Sequence, residues 1–187
     1  MHEQSQEPRH PAVRLFALIR RVEETVLSVS MLAIAGVTIA NVFCRAVLNS
    51  SLTFAEEICQ IFIIAATFFG LSYAASQGRH IRMTALYDQL PAGPKKRLME
   101  IICASTSALL FLLAYHAIVY IETVHALGTV TPALQIPYWI VYLPVPAGLV
   151  LSGIQFALTL ARNLLSPEIY VSFEHRDEYE EAPPPAV

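Results

Sequence analysis

The sequence predicts an all-α membrane protein with four transmembrane helices. Four stretches of at least 20 residues contain no Asp, Glu, Lys or Arg, and they cover residues 25–44, 58–78, 101–121 and 138–161. A helix of that length spans the roughly 30 Å of bilayer hydrocarbon and satisfies its own backbone polar groups. The composition agrees, since 55% of the residues are hydrophobic and 14% are charged. We therefore expect residues 25–165 to form a helical bundle with short loops.

Two short amphipathic segments flank these crossings. In the leader, residues 1–24, Pro11 can open a helix with one apolar face, which we expect to lie in the membrane interface. A second apolar face follows the second crossing, from Met83 to Leu90, and should also lie flat on the membrane. The tail, residues 166–187, is acidic and rich in proline, so we expect it to be flexible.

The distribution of positive charge predicts that both termini are cytoplasmic. Of the 12 Lys and Arg residues, 11 lie in the leader, in the second loop or after the fourth uncharged stretch, where Arg162 and Arg176 follow residue 161, whereas the first loop carries only Arg45 and the third loop carries none. The positive-inside rule places the basic segments in the cytoplasm. The first stretch lacks a cleavage site and should remain as a membrane helix.

The crossings lack the side chains that ion transport or catalysis would require. None of the four stretches contains an acid, Lys or Arg, although a transporter working alone usually keeps such a group in the bilayer. His116 lies inside the third stretch. We expect it to be a packing histidine or to face a partner; the alternative is a proton relay or a haem ligand.

No enzyme, metal or cofactor site is expected. The sequence contains no phosphate-binding glycine loop, nucleophile elbow or metal-binding cluster, and nothing indicates nucleic-acid binding. Cys44, Cys59 and Cys103 show no metal-site spacing. We interpret them as buried thiols, with a Cys44–Cys59 disulfide as the alternative.

Small residues recur at intervals of four and predict close helix packing. The clearest series lies in the second crossing, with shorter ones in the first, at Gly36 and Ala40, and in the fourth, at Gly153, Ala157 and Ala161. Such seams allow close backbone approach, which is a main means of helix association in lipid. They either hold this chain's own helices together or, with an aromatic face of Phe62, Phe69 and Tyr73, contact a second membrane protein. The second-crossing series is Ala66, Gly70, Ala74 and Gly78.

The start of the second crossing carries two adjacent acids. Thr53 and Glu56 have the spacing of a capping box, which accounts for Glu56 as a helix cap. Glu57 remains, and the other charge in its loop is Arg45. We expect these two residues to form an ion pair or to reach a partner protein, so that Glu57→Gln would weaken assembly.

Several motifs together resemble a known family. These motifs are Arg45, Glu56-Glu57, Gly70, Gly78-Arg79-His80-Ile81-Arg82-Met83, Leu90-Pro91, Ile136-Pro137-Tyr138-Trp139, and Pro144 or Pro146. In these motifs, over about residues 20–165, the sequence is similar to the small, DctQ-type membrane subunit of tripartite ATP-independent periplasmic (TRAP) transporters. Phe54 stands where members often have tryptophan.

This resemblance implies a scaffolding role in the bacterial inner membrane. The small subunit would clasp a large multi-spanning permease that carries sodium and substrate, and a periplasmic protein would deliver an organic acid. Arg45, Glu57, Arg79 and His80 are candidates for partner contacts or structural ion pairs. The third loop, Val124 to Ile136, could help to dock the binding protein or could be a plain extended connector. We expect Tyr138, Trp139 and Tyr142 to form an aromatic belt.

Two other classes of function stay open at this point. One is a membrane-anchored redox subunit that uses His116, which would show a Soret band. The other is a small exporter that acts as an oligomer, which reconstitution of this chain alone would reveal.

Overall fold

A computed structural model describes residues 11–77 and 92–165. The predicted helix at 83–90, the tail, and Gly78, Arg79 and His80 lie outside these described residues. The described part is helical, as predicted, and four of its segments are long and apolar enough to cross a membrane. The helices are α1 (Pro11–Leu48), α2 (Ala55–Ser76), α3 (Ala92–Leu127), α4 (Tyr138–Tyr142) and α5 (Pro144–Leu165).

The first helix is longer than the sequence predicts. α1 runs without a break from Pro11 to Leu48, so the expected interfacial helix is continuous with the first crossing. No glycine or proline interrupts the junction, and an ion pair between Arg20 and Glu24 bridges one turn of it at 3.4 Å. The helix ends at Leu48, and the next residue, Asn49, has a left-handed φ of 50°, a conformation that asparagine tolerates better than most residues.

The fourth crossing is formed by two helices in succession. α4 and α5 meet at Leu143, immediately before Pro144. Proline has no backbone N–H and is well suited to the first turn of a helix, so it favours a new helix at this position. α3 ends before Gly128, which has a φ of 63° and stops the helix in the same way that Asn49 stops α1.

The four crossings form an open row, whereas the sequence led us to expect a bundle. α1 packs against α2, α2 against α5, and α5 against α3; the described parts of α1 and α3 share no comparable contact. Only 6% of the most apolar stretch of α1 is buried, against 39% for the stretch formed by α4 and α5. The helices at the two ends of the row therefore leave most of their surface free for lipid or for another protein.

The middle of the row depends on one close backbone approach. A Cβ atom on Gly148 in α5 would lie 2.6 Å from the carbonyl carbon of Phe68 in α2, which is closer than real Cβ atoms come. Leu110 and Ala114 of α3 pack with Leu149 beside this contact. Glycine at position 148 therefore permits α2 and α5 to touch.

Some of the predicted small-residue seams contact another helix of this chain, and one does not. Gly70 faces α1, since a Cβ there would meet Leu27 at 3.3 Å, and Gly153 faces α3, where Phe111 lies 3.2 Å away. Both positions therefore hold this chain's own helices together. By contrast, Gly36 has nothing within 4 Å, and Ala40 is exposed.

A buried acid lies between α1 and α2. Glu23, which the sequence placed in the leader, is 1% exposed. It accepts a hydrogen bond from the hydroxyl of Ser72 at 2.5 Å. Its Oε2 has no hydrogen-bond partner in the described part of the chain. The contact fixes the register of α1 on α2, because a carboxyl group buried without a partner is costly.

Gly148→Ala should destabilise the protein, and Gly36→Ala provides a matched control. Alanine favours a helix over glycine by up to about 1 kcal/mol, but at position 148 the added methyl group collides with the backbone of α2. We expect a net loss of about 1–2 kcal/mol for Gly148→Ala and no loss for Gly36→Ala. Thermal unfolding in detergent measures both; equal midpoints would contradict the close approach.

Candidate functional site at the loop end

The loop that connects α3 to α4 is a compact turn at the end of the molecule where α2 begins, which we call the loop end. Thr131 donates its backbone N–H to the carbonyl of Ile136 at 2.9 Å, and its hydroxyl accepts the N–H of Ile136 at 3.1 Å. The backbone N–H of Tyr138 donates to the carbonyl of Thr129 at 3.1 Å. The extended connector that we considered as an alternative is therefore not what the structure shows.

Glu57 holds this turn against α2. Its carboxylate accepts the backbone N–H of Ala133 at 2.6 Å and that of Leu134 at 2.9 Å. The side chain is 9% exposed, and it lies in the first turn of α2, where the positive end of the helix dipole favours a negative charge. Charge-assisted bonds to two adjacent amides make Glu57 the main polar link between α2 and this loop.

The predicted ion pair and capping box are not formed. Arg45 lies exposed in the last turn of α1, and Glu57 binds loop amides instead. A contact of Arg45 with a partner stays a prediction. The N-cap of α2 is Phe54, without a side-chain cap hydrogen bond, so Thr53 does not cap the helix. Spacing alone could not fix which residue begins the helix.

The first loop is held by a residue that the sequence analysis did not single out. The side-chain oxygen of Asn41 accepts the backbone N–H of Leu52 at 2.9 Å and the hydroxyl of Ser51 at 3.3 Å. Asn41 is the one amide side chain in the uncharged stretch 25–44, and this isolation was the available signal for a structural role.

An open cleft of about 540 Å³ lies between α2 and the compact turn. Glu56 and Gln60 of α2 and Thr53, which lies two residues before α2, have exposed side chains. They line this cleft opposite Ala133 and neighbouring loop residues. A carboxylate, an amide and a hydroxyl can bind cationic or hydrogen-bonding groups. They do not form a nucleophile with its base, and no cluster of three metal-ligating side chains occurs among the described residues.

Aromatic rings cluster beside this cleft. The rings of Tyr138 and Tyr142 stack at 5.9 Å, and Tyr120 of α3 meets Tyr142 edge-on at 5.6 Å. His125 meets Trp139 at 5.5 Å. Such amphipathic rings favour the headgroup region of a bilayer, so this cluster provides the residues that the predicted aromatic belt requires.

His116 does not pack inside the chain. It is exposed on α3, and its ring meets that of its neighbour Tyr115 edge-on at 5.5 Å. His125 lies on the same helix, about 14 Å further along the axis, so these two histidines cannot ligate one haem from opposite sides. Cys44, Cys59 and Cys103 are free thiols, and Cys103 alone is buried; the alternative disulfide is not formed.

Glu57→Gln should loosen the compact turn, whereas Glu56→Gln, one residue earlier and exposed, should not. The glutamine amide group offers one acceptor oxygen where the carboxylate offers two, so one of the two loop amides loses its partner. We expect a loss of about 1.5 kcal/mol and therefore hydrogen exchange about tenfold faster at Ala133 and Leu134. Unchanged exchange in Glu57→Gln would show that this contact is dispensable.

Comparison with known proteins identifies the family. Residues 34–166 match the family model of tripartite ATP-independent periplasmic transporters, DctQ component. The ectoine TRAP transporter small permease protein TeaB of Halomonas elongata is 41% identical over 164 residues, which are 88% of this chain and 85% of that protein. The C4-dicarboxylate TRAP transporter small permease protein DctQ of Rhodobacter capsulatus is 31% identical over 100 residues, 52% of this chain and 43% of that protein. The extent of these matches, over a chain with four candidate membrane spans, shows that this protein belongs to the small permease subunits of TRAP transporters.

Proposed function

We propose that this subunit is a stationary scaffold for the large permease of its transporter and carries no solute itself. The observation that supports this most strongly is the open row of crossings, in which the most apolar stretch of α1 is only 6% buried and that of α3 only 22%. A chain that forms its own transport route would need to enclose it. A row with two open sides can instead cover part of the large permease. It would then widen the stationary part of the complex, against which the transport domain of the permease moves.

The polar groups inside the row support the same proposal. In α5, Ser152 and Thr159 are buried, and each bonds to a carbonyl one turn earlier in its own helix. The carboxyl group of Glu23 accepts a hydrogen bond from Ser72. Among the described residues, these groups serve helix structure and helix contacts, and they do not line a continuous polar route of the kind that solute transport requires.

We further propose that the transported solute is a small organic acid delivered by a periplasmic binding protein. The relatives named above are an ectoine and a C4-dicarboxylate transporter subunit. The ectoine transporter subunit matches 88% of this chain and the C4-dicarboxylate transporter subunit matches 52%. Ectoine is therefore the first solute to test. Specificity would reside in the binding protein and the large permease, since the described residues of this chain enclose no solute site.

We place the loop end on the periplasmic side of the inner membrane, with both termini in the cytoplasm. The excess of Lys and Arg in the leader, the second loop and the tail supports this orientation. The cleft with Glu56 and Gln60 would then face the periplasm, where an exposed carboxylate can attract a basic side chain of the binding protein.

Two measurements on purified components test assembly and solute uptake separately. A tag on this chain should retain the large permease in mild detergent. Proteoliposomes with this chain, the large permease, the binding protein and a sodium gradient should accumulate ectoine, and omission of this chain should lower uptake at least tenfold. Liposomes that contain this chain alone should accumulate no ectoine. Ectoine accumulation in those liposomes would contradict the proposed scaffold function.

Reporter fusions test the orientation. A fluorescent protein that folds only in the cytoplasm should be bright when fused after Val187. Alkaline phosphatase, which folds only in the periplasm, should be active when inserted after Gly128 in the compact turn. Phosphatase inserted at Pro94, at the start of α3, is the control and should be inactive. The opposite pattern would contradict the proposed orientation.

A further inference from the structure

His116 points away from the rest of the chain. Ala114, two residues earlier, is 2% exposed and packs with Leu149 of α5. Each residue turns an α-helix by about 100°, so His116 lies about 200° around α3 from that packed side. Its neighbours one turn away on the same outward side, Leu112 and Val119, are 55% and 41% exposed. Nothing in the described row covers this surface.

The position along α3 places His116 in the hydrocarbon. Tyr120 belongs to the aromatic cluster through its ring contact with Tyr142. His116 lies one turn, or about 6 Å, further from the loop end than Tyr120. In the other direction, about 30 Å of helix separates it from Lys96 at the opposite end of the span. An imidazole at this depth is costly when it faces acyl chains, since it has both a donor and an acceptor to satisfy.

Two other polar side chains on the outward side of α3, Ser105 and Thr123, are satisfied within the helix, but His116 is not. Ser105 donates to the carbonyl of Ile102 at 3.1 Å, and Thr123 donates to that of Val119 at 2.9 Å. Among the described residues, the contact shown for the His116 ring is the edge contact with Tyr115, and that contact does not satisfy both ring nitrogens.

The opposite end of the row differs in chemistry. The most exposed side chains of α1 at membrane depth include Leu32 at 75%, Ile39 at 70% and Phe43 at 64%. These groups are compatible with lipid, so nothing in their chemistry requires a protein partner. The two ends of the row are thus both exposed, but among the described side chains of α1 and α3 at membrane depth, the imidazole of His116 is the ring that lipid cannot satisfy.

We propose that the outward side of α3 around His116 binds a transmembrane helix of the large permease that presents a polar side chain to the imidazole. This inference rests on the proposed scaffold function and names the surface through which it acts. Leu112 and Val119 would pack against the same helix on either side of the hydrogen bond. Interhelical bonds of this kind contribute about 1–2 kcal/mol in model membrane helices.

Photocrosslinking tests the surface directly. A photoreactive amino acid is placed at position 116 or, as a control at nearly the same depth, at Ile118, which is 45% exposed and lies about 200° around the helix. In membranes that also contain the large permease, position 116 should crosslink to the permease, and position 118 should do so at least fivefold less. Crosslinking of position 116 to a second copy of this chain, or to no protein, would overturn the inference.

Substitutions at the same site distinguish a partner from lipid. His116→Leu should lower the amount of large permease retained by the tagged subunit about tenfold, whereas His116→Gln, which keeps a donor and an acceptor, should retain it within about twofold. Ile118→Leu is the control. If His116 faced lipid, His116→Leu would leave retention unchanged or raise it. If the wild-type chain retained no permease, the scaffold function itself would fail, which is a separate result.

Discussion

The joint between two helical hairpins is the constraint on which the rest of this structure depends. α1 and α2 form one pair, and α3 and α5 form the other. Within the membrane, the pairs meet where Gly148 lets α5 touch the backbone of Phe68. At the loop end, Glu57 binds the amides of Ala133 and Leu134. One contact fixes the distance between the pairs through sterics, and the other fixes their register through charge-assisted hydrogen bonds.

This joint explains how a small chain can hold its crossings together as an open row, which the proposed scaffold function requires. In lipid, apolar burial between helices gains little over contact with acyl chains, so close packing and hydrogen bonds must hold the row together. Gly70 and Gly153 provide such packing on either side of the central joint. A chain joined in this way does not need to close on itself, and its two end helices can remain available to a large permease on one side and to lipid on the other.

Much of the fold could be predicted, because the bilayer imposes it on the sequence. Uncharged stretches of helical length predict the crossings, and several motifs, taken together over about residues 20–165, indicate the family. The sequence predicted an ion pair of Glu57 with Arg45 or a contact of each with a partner protein, whereas in the structure Glu57 accepts hydrogen bonds from two backbone amides. Those amides lie 76 and 77 residues away, and backbone groups have no signature in a sequence. Glu23 was assigned to the leader for a related reason: its partner Ser72 lies in another helix.

The sequence by itself determined the number of crossings, the absence of charge from their centres and the positions where small residues permit close packing. Periodicity and composition report these properties because each depends on a single segment and its solvent. Only the tertiary structure decided that the helices form an open row, that Gly148 is used and Gly36 is not, and that His116 points outward. These depend on which helix lies beside which, and in a membrane, where side chains that face lipid and side chains that face another helix are both mostly apolar, the pattern of one helix does not indicate its neighbour.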